Sequence, residues 1–590
     1  MPATRYGSDL IVDVIKQYDF DYVSINPGSS FRAVHDSLVH YGGNRKPEII
    51  ECPHENTAVG MAHGYARATG KPMLVFLHNL VGLLHGTMAI YYAFIDRVPM
   101  VVAGATGPMD IAKRRPHMDW IHTALLQGNA IRDYVKWDDQ PYSIASVPDS
   151  FARAYRVACT EPKGPTYICF DIPLQEEPLE QDVPLLNVNR LMPPTLIHAD
   201  PAAIEKAADL LVNAGHPVAL AGFLGRNKTS VDKLVQLSEL LSMPVMDLRN
   251  RFNFPNTHPL DLTGSDCLKD ADLILSLDVR SLAAPTTSYS SETPLKPTLS
   301  ERIKGRSSIL SENCRIIEMG FSDLGISSWA MEYGKINEVD LSILCDTATA
   351  LPALIAACGK KLSDNPARQA QLKGRFEQIS RQHARMRDEW KIEAQDNWDV
   401  KPMTVARLAA EVWQVLKDED WVVTTSGGLK EWARKLWDFD RPDCFPGAGL
   451  GTGTQINMSL GVALAYRETG KLVVDIQADG DLLFDAGALW VATHHHIPML
   501  IVMLNNRAYQ NSWKHARSMA KIRGNPAAKV DIGTEIDHPA PDFAKLAQSF
   551  GWYAEGPVED GRKVQEAVKR AIQVIKKEKR PALVDTIVQR

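Results

Sequence analysis

Cysteine is sparse and unpatterned, with eight residues scattered through 590 and no Cys-x-x-Cys pair. Neither a zinc site nor a disulfide framework is indicated, and a reducing, cytoplasmic compartment is the expectation. No apolar run reaches the ~18 residues that a membrane-spanning helix needs. The most apolar region is broken by His78, His85, Asp96 and Arg97. The N-terminus, MPATRYGSDLIVDVIKQYDF, lacks the basic-then-apolar order of a signal peptide. Positive charge is not in excess either, since 65 Lys and Arg stand against 71 Asp and Glu, for a net charge of −6. No nucleic-acid or membrane partner is therefore expected.

What is present is the composition of a globular protein, 45% apolar and 23% charged, and long enough for three or four domains. The most informative stretch is Lys471 to Gln510, KLVVDIQADGDLLFDAGALWVATHHHIPMLIVMLNNRAYQ. It reads as a buried strand over Leu472 to Gln477, a turn at Ala478-Asp479-Gly480-Asp481, a helix, and a second buried strand over Met499 to Leu504. Both apolar runs lack alternation, which fits parallel strands covered on both faces. A crossover helix would bring Asp479 and Asn506 together at the carboxyl ends of neighbouring strands, where open α/β sheets bind ligands. Two hard oxygen ligands from adjacent turns are the kind of pair that holds Mg²⁺ against a phosphorylated cofactor. An ordinary βαβ unit with turn dipeptides would read much the same.

Asp-Gly followed, 506 − 479 = 27 residues on, by the second Asn of Asn-Asn resembles the cofactor motif of thiamine-diphosphate-dependent enzymes. Carried over, the resemblance implies metal ligands at Asp479, Asn506 and the carbonyl of Ala508, with Gly480 and Asp481 beside the diphosphate. Ala478 and Asp481 replace the first Gly and the Ser of the usual Gly-Asp-Gly-Ser, and Asp481 adds negative charge there.

A second motif lies near the N-terminus in CPHENTAVGMAHGYARATGKP. Glu55 follows a strand signal and opens a helix rich in Ala and Gly, and by itself it reads as a helix cap worth about 1 kcal/mol. Glu55, eight residues, then Gly64-Tyr65-Ala66-Arg67 resembles the segment that carries the cofactor-activating Glu of the same family. The implied role is a carboxyl group on the cofactor's pyrimidine ring, favouring the tautomer that takes the C2 proton. Enclosure in an apolar pocket lets such a carboxyl keep its proton near neutrality.

The family group resembled is that of acetolactate synthases, benzoylformate decarboxylases and pyruvate decarboxylases. His78, just after the strand LVFL, resembles the catalytic His of benzoylformate decarboxylases. Ile121-His122-Thr123 resembles the His-His-Thr of pyruvate decarboxylases, with only the second His kept. A lone His is more often structural, and His54, His85 and His117 are less specific still. His494-His495-His496 reads as a solvated helix end, because consecutive helical residues point about 100° apart and cannot converge on one ion.

The implied fold is α/β with three doubly wound parallel-sheet domains. These are a pyrimidine-binding domain over 1–180, a central Rossmann-like domain over 195–355 and a diphosphate-binding domain over 400–590. A Pro-rich linker, about Pro173 to Pro194, separates the first two, Arg280 to Ser311 reads as a long loop, and Asn365 to Gln395 as a charged helical linker. The family's central domain holds FAD or another nucleotide in some members, but no residue pattern here demonstrates either. In the third domain Ser426 and Gly427 follow a strand and suit the diphosphate side. GAGLGTGTQINMSLGVALAY resembles the loop beneath the bent cofactor, with Leu450 as the propping residue and Thr452 as the other candidate. Tyr509, Gln510, Trp513 and His515 fall where the family's substrate-side helix lies.

The resemblance implies thiamine diphosphate and Mg²⁺ as cofactors and a small 2-oxo acid or related carbonyl compound as substrate. Non-oxidative decarboxylation with carboligation as a further outcome is the expected reaction. An acetolactate synthase-like carboligase is the near alternative, and a non-catalytic nucleotide-binding protein keeping the fold the remote one. The family also implies a homodimer or homotetramer with active sites at subunit interfaces.

Overall fold

Six strands between residues 22 and 171, most of them apolar, pair into one sheet in the computed structural model, which describes residues 4–248, 251–289, 298, 300, 306–322, 324, 338–425, 429–526 and 529–590. Its strands are β1 (Tyr22–Ile25), β2 (Glu48–Glu51), β3 (Met73–Phe76), β4 (Met100–Thr106), β5 (Asp138–Asp139) and β6 (Pro165–Asp171). They run in the order β2-β1-β3-β4-β6-β5, with every pairing parallel. β3 and β4 are buried along their whole length, as runs without alternation require.

The central sheet contains β7 (Pro217–Ala221), β8 (Val245–Asp247) and β9 (Leu273–Leu277). A small antiparallel pair follows, β10 (Thr287–Tyr289) with β11 (Arg306–Ser308). Then β12 (Arg315–Gly320) and β13 (Leu341–Leu344) complete the parallel order β13-β12-β9-β7-β8. Part of the loop expected over 280–311 thus forms a ribbon, and the rest lies largely outside the described residues. The charged linker is a single helix, Pro366–Glu393.

The third sheet comprises β14 (Trp421–Thr425), β15 (Leu472–Ala478), β16 (Leu500–Asn505), β17 (Tyr553–Val558) and β18 (Ala582–Ile587), in the parallel order β14-β15-β16-β18-β17. The crossover between β15 and β16 is two short helices, Asp479–Phe484 and Ala488–His494, rather than one.

By contact density the chain divides into two compact units. One joins residues 1–194, 397–433 and 448–590, and the other residues 195–396 and 434–447. Within the first unit the Glu55–Thr69 helix crosses the Gln455–Tyr466 helix at very short range. A Cβ on Gly64 would lie 1.9 Å from the carbonyl of Met458, and one on Gly461 would lie 2.0 Å from that of Met61. Glycine is required at both positions for backbone to meet backbone.

The His-rich stretch differs from its sequence reading. His494 and His496 are exposed, but His495 is half-buried and its Nε2 accepts from the amide of Glu51 at 2.8 Å. Burial first, and His494 second, lower its pKa to about 4. His495 is therefore a neutral link to β2, not part of a solvated face.

Candidate functional site

Parallel pairing of β15 with β16 sets Ala478 opposite Leu504, so the turns that follow emerge side by side. Asp479 opens one turn and Asn506 the other, and both are buried. Their side-chain oxygens converge on one donor: the amide of Ala508 donates to Asp479 Oδ2 at 3.2 Å and to Asn506 Oδ1 at 3.0 Å. The amide of Gly480 donates to the other Asp479 oxygen at 2.8 Å. Desolvation outweighs these bonds and raises the Asp479 pKa to about 6. A buried carboxylate and an amide oxygen at one point form a hard-donor set that suits a divalent cation. Gln510 holds the far side of Asn506, accepting from its Nδ2 at 2.9 Å.

Asp481 is engaged with the protein. Its Oδ1 accepts from the amide of Gly453 and its Oδ2 from Gln477 Nε2, at 2.5 and 2.8 Å. Burial raises its pKa. The extra charge that departs from the family motif thus clamps the Gly-rich loop. The same loop is tied from the other side, because Asn56 and Asn457 both donate to the carbonyl of Gly453. Gln455 Oε1 holds the amide of Gly449 at 2.6 Å, while Gln455 Nε2 donates to Asp475 at 2.9 Å. Leu450, between these anchors, is 44% exposed, free to meet a ligand. Ser426 and Gly427 lie outside the described residues.

Glu55 is the first residue of its helix and is only 5% exposed. Capping is performed by His54, whose Nδ1 accepts from the amide of Asn56. Glu55 Oε2 instead meets His85 Nδ1 at 3.3 Å, and His85 stacks on His54 at 5.1 Å. The helix Leu80–Ile95 approaches through Gly82, where a Cβ would lie 2.8 Å from both Glu55 Oε1 and His78 Cβ. His78 and His122 face each other with ring centroids 5.5 Å apart. The structure therefore gathers Glu55, His78 and His122, which sequence placed in three separate segments. Burial, and next the His122 ring, lower the His78 pKa.

Two residues not singled out from sequence organise this pair. Ser30 Oγ lies 2.9 Å from His78 Nδ1 and accepts from the amide of Asn79 at 3.0 Å. Asn79 Oδ1 lies 3.2 Å from His122 Nδ1. The available signal was their position in loops just after β1 and β3, at the carboxyl ends of parallel strands. Of the proposed substrate-side helix, Trp513 Nε1 is spent on Asp531 at 2.7 Å, and the Tyr509 ring packs edge-on against Phe484.

In the central unit the residues after β7, β9 and β13 bond to one another, while Asp278 Oδ1 is buried with no hydrogen-bond partner among the described residues. Arg226 bridges Asp278 and Asp346 at 2.5 and 3.1 Å, and Thr347 donates to Asp278 at 2.8 Å. This donor set gives no positive case for FAD or another nucleotide. No described helix is long and apolar enough to cross a membrane.

Comparison with known proteins adds independent support. Residues 5–127 match the thiamine pyrophosphate enzyme N-terminal TPP-binding domain, and residues 425–586 match the C-terminal TPP-binding domain. The acetolactate synthase large subunit of Haemophilus influenzae is 24% identical over 571 residues, covering 92% of this chain and 88% of its own. The acetolactate synthase isozyme 3 large subunit of Escherichia coli is 23% identical over 562 residues, with 92% and 88% covered. The solved benzoylformate decarboxylase of Polynucleobacter necessarius shares the fold, with a TM-score of 0.74, 16% identity and 99% of each chain covered.

Proposed function

This chain belongs to the thiamine pyrophosphate enzymes, and from that premise we propose that it makes or breaks a C–C bond next to a carbonyl. The favoured reaction is non-oxidative decarboxylation of a 2-oxo acid, with carboligation to a second carbonyl compound as a further outcome. The observation that carries the reading is the His78–His122 pair beside buried Glu55. Thiamine diphosphate, when bound, supplies the nucleophilic carbon and the electron sink for such chemistry.

The chain's own residues fit the cofactor. Asp479, Asn506 and the carbonyl of Ala508 would hold Mg²⁺, because hard oxygens on two adjacent strand ends match its ligand preference. A cation there would offset the desolvation that now raises the Asp479 pKa. Leu450 would support the cofactor's bend from its doubly anchored loop, and Gly480 would line the diphosphate side. Glu55 would hold the pyrimidine ring in its reactive tautomer, which its burial favours by shielding the carboxyl from water. His78 and His122 would contact the substrate.

Acetolactate synthase-like carboligation is the second reading, favoured by the relatives of that name, which match more than nine-tenths of this chain. Assembly as a homodimer or homotetramer with sites shared between subunits belongs to either reading. A cytoplasmic location is also proposed, supported by eight free cysteines. The reaction is tested by incubating the protein, thiamine diphosphate and Mg²⁺ with a panel of 2-oxo acids. Cofactor-dependent CO₂ release with an aldehyde product supports decarboxylation, and CO₂ release with a 2-hydroxy-3-oxo acid as the ligation product supports the second reading. No CO₂ from any member of the panel would contradict both.

A further inference from the structure

The loops after β1 and β3 hold two imidazoles through a shared set of bonds, and that set determines where their protons lie. Ser30 is buried, and its Oγ already accepts from the amide of Asn79 at 3.0 Å. Its hydroxyl proton needs an acceptor, and His78 Nδ1, 2.9 Å away, is the ring atom within reach. A His that accepts at Nδ1 carries its proton on Nε2 when neutral. On the other side Asn79, also buried, presents Oδ1 to His122 Nδ1 at 3.2 Å. An amide oxygen only accepts, so that ring nitrogen carries the proton, and in the neutral ring Nε2 of His122 then keeps the lone pair.

We infer that Ser30 and Asn79 are positioning residues that fix opposite tautomers on His78 and His122, giving the site one hydrogen-bond donor and one acceptor. His78 then offers N–H to a carbonyl or carboxylate oxygen of the substrate. His122 offers a lone pair to a hydroxyl or a water. The two rings, 5.5 Å apart, are spaced to meet two neighbouring oxygen atoms of one small molecule. The substrate class that matches is a 2-oxo acid whose carbonyl or carboxylate oxygen lies near a hydroxyl group or a bound water. Burial keeps His78 in the neutral form in which tautomer identity matters. This inference rests on the proposed 2-oxo-acid reading for its substrate, but the proton positions themselves do not depend on it.

Gly28 shows how closely the His78 ring is held, since a Cβ there would lie 2.6 Å from Nδ1. The ring is thus held by contact on one side and by Ser30 through its nitrogen. Removing the hydroxyl leaves the packing but removes the proton donor.

The test is long-range ¹H–¹⁵N correlation on full-length protein labelled at histidine nitrogen, with the two rings assigned by His78→Gln and His122→Gln. The expected result is His78 as the Nε2–H form and His122 as the Nδ1–H form at neutral pH. Ser30→Ala should shift His78 to a tautomer mixture and Ser30→Thr should restore the wild-type signature. In parallel, kcat/KM for the accepted 2-oxo acid should fall about tenfold in Ser30→Ala and stay within about twofold in Ser30→Thr, the size expected for one hydrogen bond. His78 as Nδ1–H, His122 as Nε2–H, or an unchanged His78 signature in Ser30→Ala would overturn the inference. If the tautomers are as stated and no 2-oxo acid is turned over, the reaction reading fails while the proton assignment stands.

Discussion

At the residue scale, Asp475 shows what the third sheet tolerates beneath its Gly-rich loop. It is fully buried in β15, with one oxygen bonded to Gln455 and the other without a partner. Desolvation raises its pKa to about 7. A carboxyl with a raised folded pKa leaves stability intact below its unfolded pKa and costs stability as pH rises through the folded value. Asp475→Asn keeps the acceptor toward Gln455 and cannot ionise. It should therefore stabilise the protein at pH 8 by roughly 2 kcal/mol, the gain shrinking toward pH 4. Thermal unfolding at both pH values checks this, and an equal shift at the two would refute it. Glu55→Gln keeps the size of the side chain but loses the ionisable carboxyl. Turnover should drop by about 10²–10⁴-fold with cofactor affinity nearly unchanged. Wild-type turnover would reduce Glu55 to a helix-end residue. The placement of Glu55, Asp479 and Asn506 just after strands was legible in sequence because each stands within a local motif. Ser30 and Asn79 were not, because their partners His78 and His122 lie 48 and 43 residues away, and only the fold brings them together.

At the element scale, the two helices that cross beside the site depend on small residues. The Ala and Gly content of the Glu55–Thr69 helix announced close packing, but nothing in the sequence named its partner. The structure supplies Gln455–Tyr466, with Gly60 under Asn457, Gly64 under Met458 and Gly461 under Met61. Gly461→Ala puts a methyl 2.0 Å from backbone, which no rotamer relieves. Overpacking of this kind typically costs about 1–3 kcal/mol, so Tm should fall by several degrees. Gly374→Ala, in a helix where a Cβ meets nothing within 4 Å, should instead raise Tm slightly. If both substitutions behave alike, the close crossing is not as described. Strand positions were readable from unalternating apolar runs, whereas the broken crossover at residues 479–494 was not, because its two pieces together look like one helical period. The Asp481 clamp was also missed, since its partner Gly453 precedes it by 28 residues.

At the scale of the whole molecule, the three-sheet α/β architecture was legible from alternating helix and strand signals. The grouping of residues 434–447 with the central unit was not, because it rests on tertiary contacts such as Phe252 with Phe445 and Asn256 with Phe439. The proposed sharing of active sites between subunits makes a sharp prediction. Glu55→Gln and Asp479→Ala chains, each inactive alone, should regain activity when co-expressed, because one mixed site then receives both intact halves. No recovery in verified mixed oligomers would place each site within one chain. The central claim, that Asp479 and Asn506 hold a divalent cation against thiamine diphosphate, is tested most directly by calorimetric titration of the cofactor. With Mg²⁺ the wild-type protein should bind it tightly. Chelation, or the Asp479→Ala, Asn506→Ala double substitution, should weaken binding by at least ~100-fold. Equally tight binding without a divalent cation, or by the double variant, would contradict the account.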